Sequence, residues 1–232
     1  MSQGNSKTIK ITDKEMNEIE GTLTTPDKGN HIKGIVIFAH GSGSSRFSPR
    51  NKYVAQILNS ANIATLLIDL LTREEERVDD ITREHRFDIG LLARRLVSCA
   101  DWVTQNPEVK DLRIGYFGAS TGAAAALVAA AAVPIIIAIV SRGGRPDLAG
   151  DKVLARIEAP TLLIVGENDE EVIKLNQGAL EGLTKLEGKK KMIIIPGATH
   201  LFEEPGTLED VARHATRWFE HYFLVESKQS SV

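Results

Sequence analysis

The chain reads as an α/β fold built on a mostly parallel sheet, and three observations predict it. Six near-continuous apolar runs recur along the sequence, separated by segments of helical pattern, and such runs suit strands buried on both faces of a parallel sheet. Two strand-like runs joined by a polar turn precede them. At the end of the third apolar run lies Gly118-Ala119-Ser120-Thr121-Gly122, a small-residue turn from strand into an alanine-rich helical stretch.

Taken in order, residues 8–12 and 18–24 flank Asp13-Lys14-Glu15-Met16-Asn17 and read as an antiparallel edge hairpin. The later strands are expected over 34–39, 64–70, 113–118, 135–140, 161–165 and 191–195, and helices over 51–60, 87–104, 120–132, 171–186 and 208–225. Pro160 and Pro196 fall at strand boundaries, Asn106-Pro107 stops a helix, and Thr207 with Asp210 forms a capping box for the last one. The alanines at 123–126 and 129–132 are good helix formers and suit a narrow helix near the sheet centre. Lys189-Lys190-Lys191 and the segment 73–86, rich in both charge signs, read as solvated surface, the latter placed where it can rim the strand ends.

With 232 residues, 42% of them hydrophobic, and no compositional break, one substantial core and one domain over 1–232 are expected, with 1–6 and 226–232 as flexible tails. A net charge of -3 lacks the basic footprint of a nucleic-acid binder and favours a small-molecule partner. The N-terminus is polar, and Pro134 interrupts the longest apolar stretch, 123–140, so a soluble cytoplasmic protein without a membrane partner is expected. The single cysteine, Cys99, excludes an internal disulfide framework and any multi-cysteine metal site. It follows Leu92 and Leu96 at helical spacing, which predicts burial.

The turn at Ser120 has the Gly-x-Ser-x-Gly pattern of a nucleophile elbow, in which side chains at 118 and 122 would strike neighbouring backbone. Serine is a weak nucleophile at neutral pH and needs a base, and the base needs an orienting acid. Both follow in chain order: Gly166-Glu167-Asn168-Asp169 after one strand and Pro196-Gly197-Ala198-Thr199-His200 after the next. Asp169 is the expected acid, with Glu167, Glu170 and Glu171 as alternatives, and His200 the expected base. The oxyanion would be met by the amide of Thr121 and by one from His40-Gly41-Ser42-Gly43-Ser44-Ser45, taken as Ser42 with Gly43 the near alternative. His40 reads as a brace for that loop. A dinucleotide-binding reading of Gly41-Ser42-Gly43 fails because Arg46 stands where the third glycine belongs. No metal or organic cofactor is needed by this chemistry.

On His40-Gly41-Ser42-Gly43, the Ser120 elbow, Asp169 and Gly197-Ala198-Thr199-His200, the chain resembles the α/β-hydrolase superfamily, and within it the compact dienelactone-hydrolase-like branch, from about residue 34 to 223. The resemblance implies an eight-stranded, mostly parallel sheet with a catalytic triad at the strand ends. Dienelactone hydrolases proper use a cysteine nucleophile where this chain has Ser120, so dienelactone itself does not carry over as substrate. The chain is also similar to hydrolase modules fused to phosphoribosyltransferase-like domains, although no second domain is expected in these residues. The stretch 141–160 is too short for a helical cap, which favours an open site for small esters or related acyl compounds. Arg46, Arg142 and Arg145, with Arg50 beside them, are candidate ligands for an anionic substrate, with pairing to local acids as the alternative. An acyltransferase and a non-catalytic binding module on the same scaffold remain as other readings, and the sequence leaves the oligomeric state open.

Overall fold

A computed structural model of the chain describes residues 5–26 and 31–225. Eight strands form one sheet in the order β1-β2-β4-β3-β5-β6-β7-β8. They are β1 (Asn5–Thr12), β2 (Glu18–Thr25), β3 (Ile35–Ala39), β4 (Ala64–Ile68), β5 (Ile114–Ala119), β6 (Ile136–Arg142), β7 (Thr161–Gly166) and β8 (Lys190–Ile195). From β4 to β8 all neighbours are parallel, while the β1–β2 hairpin joins β4 antiparallel through Gly21 to Thr24. The hairpin turn is organised by Asp13, whose carboxylate accepts the amides of Glu15 and Asn17 at 2.9 and 2.7 Å.

The continuous apolar runs follow from a sheet covered on both sides. In β3, Ile35, Ile37 and Ala39 enter one core cluster and Val36 and Phe38 the other. The first cluster is closed by α3 (Ile89–Gln105) and α4 (Thr121–Ala132), the second by α1 (Pro49–Ser60) and α7 (Thr207–Val225). Ala123 to Ala126 are fully buried, which lets α4 lie close to the central strands. Cys99 is buried on α3, where burial pushes its thiol upward. Two short elements, a 3₁₀ turn at Pro146–Ala149 and α5 (Asp151–Leu154), occupy the stretch in which a cap domain would sit, and α6 (Glu170–Gly182) precedes β8.

Two local expectations change, and the exposed segment 73–86 gains an element. The segment 73–86 contains a regular helix, α2 (Arg73–Thr82), with a complete capping box: Glu75 N–H donates to Thr72 Oγ1 and Thr72 N–H to Glu75 Oε2. The box expected at Thr207 and Asp210 does not form, because the Thr207 hydroxyl donates to Glu204 O and Asp210 pairs with Arg213. Of the expected tails, Asn5 and Ser6 are the first residues of β1, and 1–4 and 226–232 lie outside the described residues. Among the described residues, no helix is long and apolar enough to cross a membrane.

Candidate active site

Ser120 is held at φ 50° and ψ -122°, a left-handed conformation that a side chain adopts only under constraint. The constraint is visible in the backbone. Ser120 N–H donates to Arg142 O at 3.2 Å, and its own carbonyl accepts from Ala123 and Arg145 at 3.1 Å each. A Cβ at Gly118 would collide with Ala123, and one at Gly122 with the carbonyl oxygens of Ala39 and His40. Both glycines therefore let β5, α4 and the loop after β3 meet in one tight corner.

That loop begins at His40, which is buried. Its Nε2 accepts the Leu70 amide at 3.1 Å, so Nδ1 carries the proton and donates to Gly41 O at 2.9 Å. His40 thus ties the loop after β3 to the end of β4 and is turned away from proton transfer. The loop runs against Ser120: a Cβ on Gly41 would lie 3.1 Å from Ser120 Cβ. Ser42 follows in the exposed part, and the Thr121 amide opens α4, where the first N–H groups of a helix have no internal acceptor. Among the described residues, neither amide donates to a protein group.

The loops after β7 and β8 are laced together. Asn168 donates its amide to Ala198 O and its side chain to Gly197 O, both at 2.9 Å, and Gly197 N–H donates to Glu167 Oε2 at 2.8 Å. Within this frame His200 Nδ1 lies 2.6 Å from Asp169 Oδ2. A carboxylate oxygen only accepts, so Nδ1 bears the proton and Nε2 keeps a free lone pair. Glu167 is engaged with Gly197, and Glu170 and Glu171 are exposed in the first turn of α6, so Asp169 is the carboxylate that meets His200. The His200 ring approaches the end of β6, where a Cβ on Gly143 would be 3.5 Å from its Cε1, and the neighbouring Arg142 O accepts the Ser120 amide.

The arginines are distributed differently. Arg46 is paired with Asp69 and with Glu20, and Arg145 grips Asp147 through Nε and Nη2 at 2.9 and 2.7 Å. Arg50 reaches Glu203 at 2.9 Å. Arg142 is buried, with Nη2 3.4 Å from Asn51 Oδ1 and the guanidinium 5.8 Å from the Phe202 ring centre; burial, reinforced by Arg50, pulls its pKa down to about 10. The residue that composition did not single out is Arg86, whose Nη1 faces Gly43. Its only sequence signal was its place in the charged segment after β4. Among the described residues, no cluster of three histidine, cysteine, aspartate or glutamate side chains is arranged to hold a metal ion.

Sheet order, elbow, and a carboxylate-bound histidine at the parallel strand ends define the α/β-hydrolase class. The chain belongs to the dienelactone hydrolase family, whose model matches residues 19–223. A dienelactone hydrolase from Anabaena variabilis is 55% identical and superposes with a TM-score of 0.90 over 95% of this chain and 99% of that one. Est1E from Butyrivibrio proteoclasticus, 17% identical, shares the fold with a TM-score of 0.76 over 93% of this chain and 98% of its own. A Mycobacterium tuberculosis protein named "Putative phosphoribosyl transferase" is 56% identical over 202 residues, which are 87% of this chain and 43% of that protein. The chain therefore spans less than half the length of that relative.

Proposed function

We propose that the protein is a serine hydrolase that cleaves small carboxylic esters or related acyl compounds through an acyl-enzyme. The observation that carries this reading is the 2.6 Å Asp169–His200 contact, taken with the constrained backbone of the Ser120 elbow. His200 Nε2 takes the Ser120 proton while Oγ attacks the acyl carbon. The oxyanion is met by the amides of Ser42 and Thr121, and His200 returns the proton to the departing alcohol as its C–O bond breaks. Water repeats the sequence with His200 as base and releases the acid. Asp169 holds the imidazole in the tautomer that both steps need. Membership of the dienelactone hydrolase family and the 55% identity to the Anabaena protein support hydrolysis. The transferase name belongs to a protein of which this chain covers 43%, so that name is not carried over. The ion pairs of Arg46 and Arg145 weigh against these two as substrate ligands.

A fluorophosphonate probe tests the reading. Wild type is expected to label and to turn over short p-nitrophenyl esters, with Ser120→Ala losing the label and on the order of 10⁴-fold or more in kcat. An unlabelled wild type that hydrolyses none of these esters would instead identify a binding module. Added alcohols or amines that divert the acyl group into new esters or amides would identify an acyltransferase.

A further inference from the structure

A cavity of about 70 Å³ opens beside the elbow, between the loop after β3 and the wall made by α2 and its following loop. Its size is far below the roughly 300–1,000 Å³ of sites that enclose a whole drug-sized ligand. It therefore takes one end of a substrate. Ser42, Gly43 and Thr121 line it, whereas no residue of the Asp169 or His200 loops does. A departing alcohol must meet His200 to receive its proton, so the cavity lies on the acyl side of the scissile bond.

The wall is anchored at both ends. Buried Arg95 reaches Asp13 and, at 2.6 Å, Glu75, the residue that caps the start of α2. At the other end, buried Asp79 accepts the amides of His85 and Arg86 at 2.8 and 2.9 Å and the Arg86 Nε at 2.6 Å. Arg86 Nη2 donates to Asp79 O at 2.9 Å. Nε and Nη2 are thus engaged with Asp79, and a Cβ on Gly43 would lie 3.5 Å from Nη1. Among the described residues, Nη1 makes no hydrogen bond. Across the same cavity, Thr121 keeps a buried hydroxyl without a partner. Leu70, Leu71 and Leu92 supply an apolar floor.

Resting on the serine-hydrolase reading, we propose that this cavity selects short, neutral hydroxyacyl groups, with Arg86 the specificity-determining residue. A hydroxyl both accepts and donates, which matches the free Arg86 Nη1 and the Thr121 oxygen. A carboxylate would also accept from Arg86, but Arg86 is outnumbered at this cavity by Asp79, Glu76 and Asp80. A further anion there meets like charge. The leucine floor accommodates the short carbon chain that carries the hydroxyl.

The test compares kcat/KM for ethyl propionate, ethyl lactate and monoethyl malonate, followed by proton release, with fluorophosphonate labelling of Ser120 in parallel. In wild type the lactate ester is expected to lead the propionate ester by about tenfold or more, the worth of one charge-assisted hydrogen bond, and the malonate ester to trail both. Arg86→Gln and Thr121→Val, which keeps the Thr121 amide, should each draw the lactate-to-propionate ratio toward one. A labelled, active wild type with a ratio near one, or with malonate ahead of lactate, overturns the cavity assignment alone. A ratio that survives both substitutions also overturns it. Absence of labelling and of all turnover overturns the serine-hydrolase reading and this assignment with it.

Discussion

Ser120 occupies a conformation that costs on the order of 1–3 kcal/mol, and it persists because three backbone hydrogen bonds and two glycines over-determine it. Gly122→Ala is accordingly expected to lose at least about 10²-fold in esterase kcat and to lower the melting temperature, because its Cβ would force the His40 carbonyl away from α4. Circular dichroism melting together with ester turnover checks both parts, and an unchanged rate would show that the corner is slack. Asp169→Asn leaves the volume at the His200 contact unchanged but removes the charge that selects the Nδ1–H tautomer. A loss of roughly 10⁴-fold in kcat with little change in KM is expected, measured by steady-state kinetics. A small loss would mean that another group orients the imidazole.

At the scale of elements, α2 decides how the site is walled. Its own residues are largely exposed, so its apolar face does little to hold it. The attachment is polar and lies at the ends: Arg95 with Asp13 and Glu75 at one, Asp79 with Arg86 at the other. Arg95 is fully buried, and removing it leaves two carboxylates without their partner. Arg95→Met should therefore destabilise by about 3–5 kcal/mol in urea unfolding. Because Asp13 shapes the β1–β2 turn, the same substitution should also increase amide exchange in the hairpin. A change below about 1 kcal/mol would show that the three-residue contact is dispensable.

For the whole molecule, two buried groups, His40 and Asp79, contribute to the response to acid in separate pH windows. Burial disfavours the charged ring and lowers the pKa of His40 below its ordinary 6.5; a protonated ring could also no longer accept the Leu70 amide. The unfolded chain then binds the proton more readily, so this contribution is complete above about 6.5 and is lost as pH falls from there toward the lower folded value. For Asp79, burial acts upward, but the Arg86 amide, the Arg86 side chain and the His85 amide outweigh it and hold the carboxyl below its ordinary 3.8. Its contribution is complete above that value and disappears on further acidification. Stability is thus expected to decline below about 6.5 and again on further acidification, and His40→Gln should shrink the first decline while leaving the Asp79 contribution to the second. Urea midpoints measured across pH 3 to 8 would show it, and a flat profile between about 6.5 and 5 would contradict the role given to His40.

The sheet, its antiparallel hairpin, the elbow and the order of the acid and histidine loops were all legible from local pattern. Apolar runs mark strands covered on both faces, and the steric demand of a tight corner places glycine at 118 and 122. Other features depend on residues far apart in the chain that only folding brings within hydrogen-bond range. The choice of Asp169 over Glu167 came from lacing the 166–169 and 196–200 loops together. The pairing of Arg46 with Glu20 and Asp69 came from laying β2 beside β4. The charge pattern of 73–86 correctly marked exposed surface, and Thr72 with Glu75 carried a capping box, but the ties that hold α2 run to Asp13 and Arg95 elsewhere in the fold. Sequence by itself determined the scaffold and the chemical groups at its strand ends, since those follow from periodicity and backbone sterics. Tertiary structure decided which charges neutralise one another and which donor stays free, because electrostatic partners are chosen by distance in space.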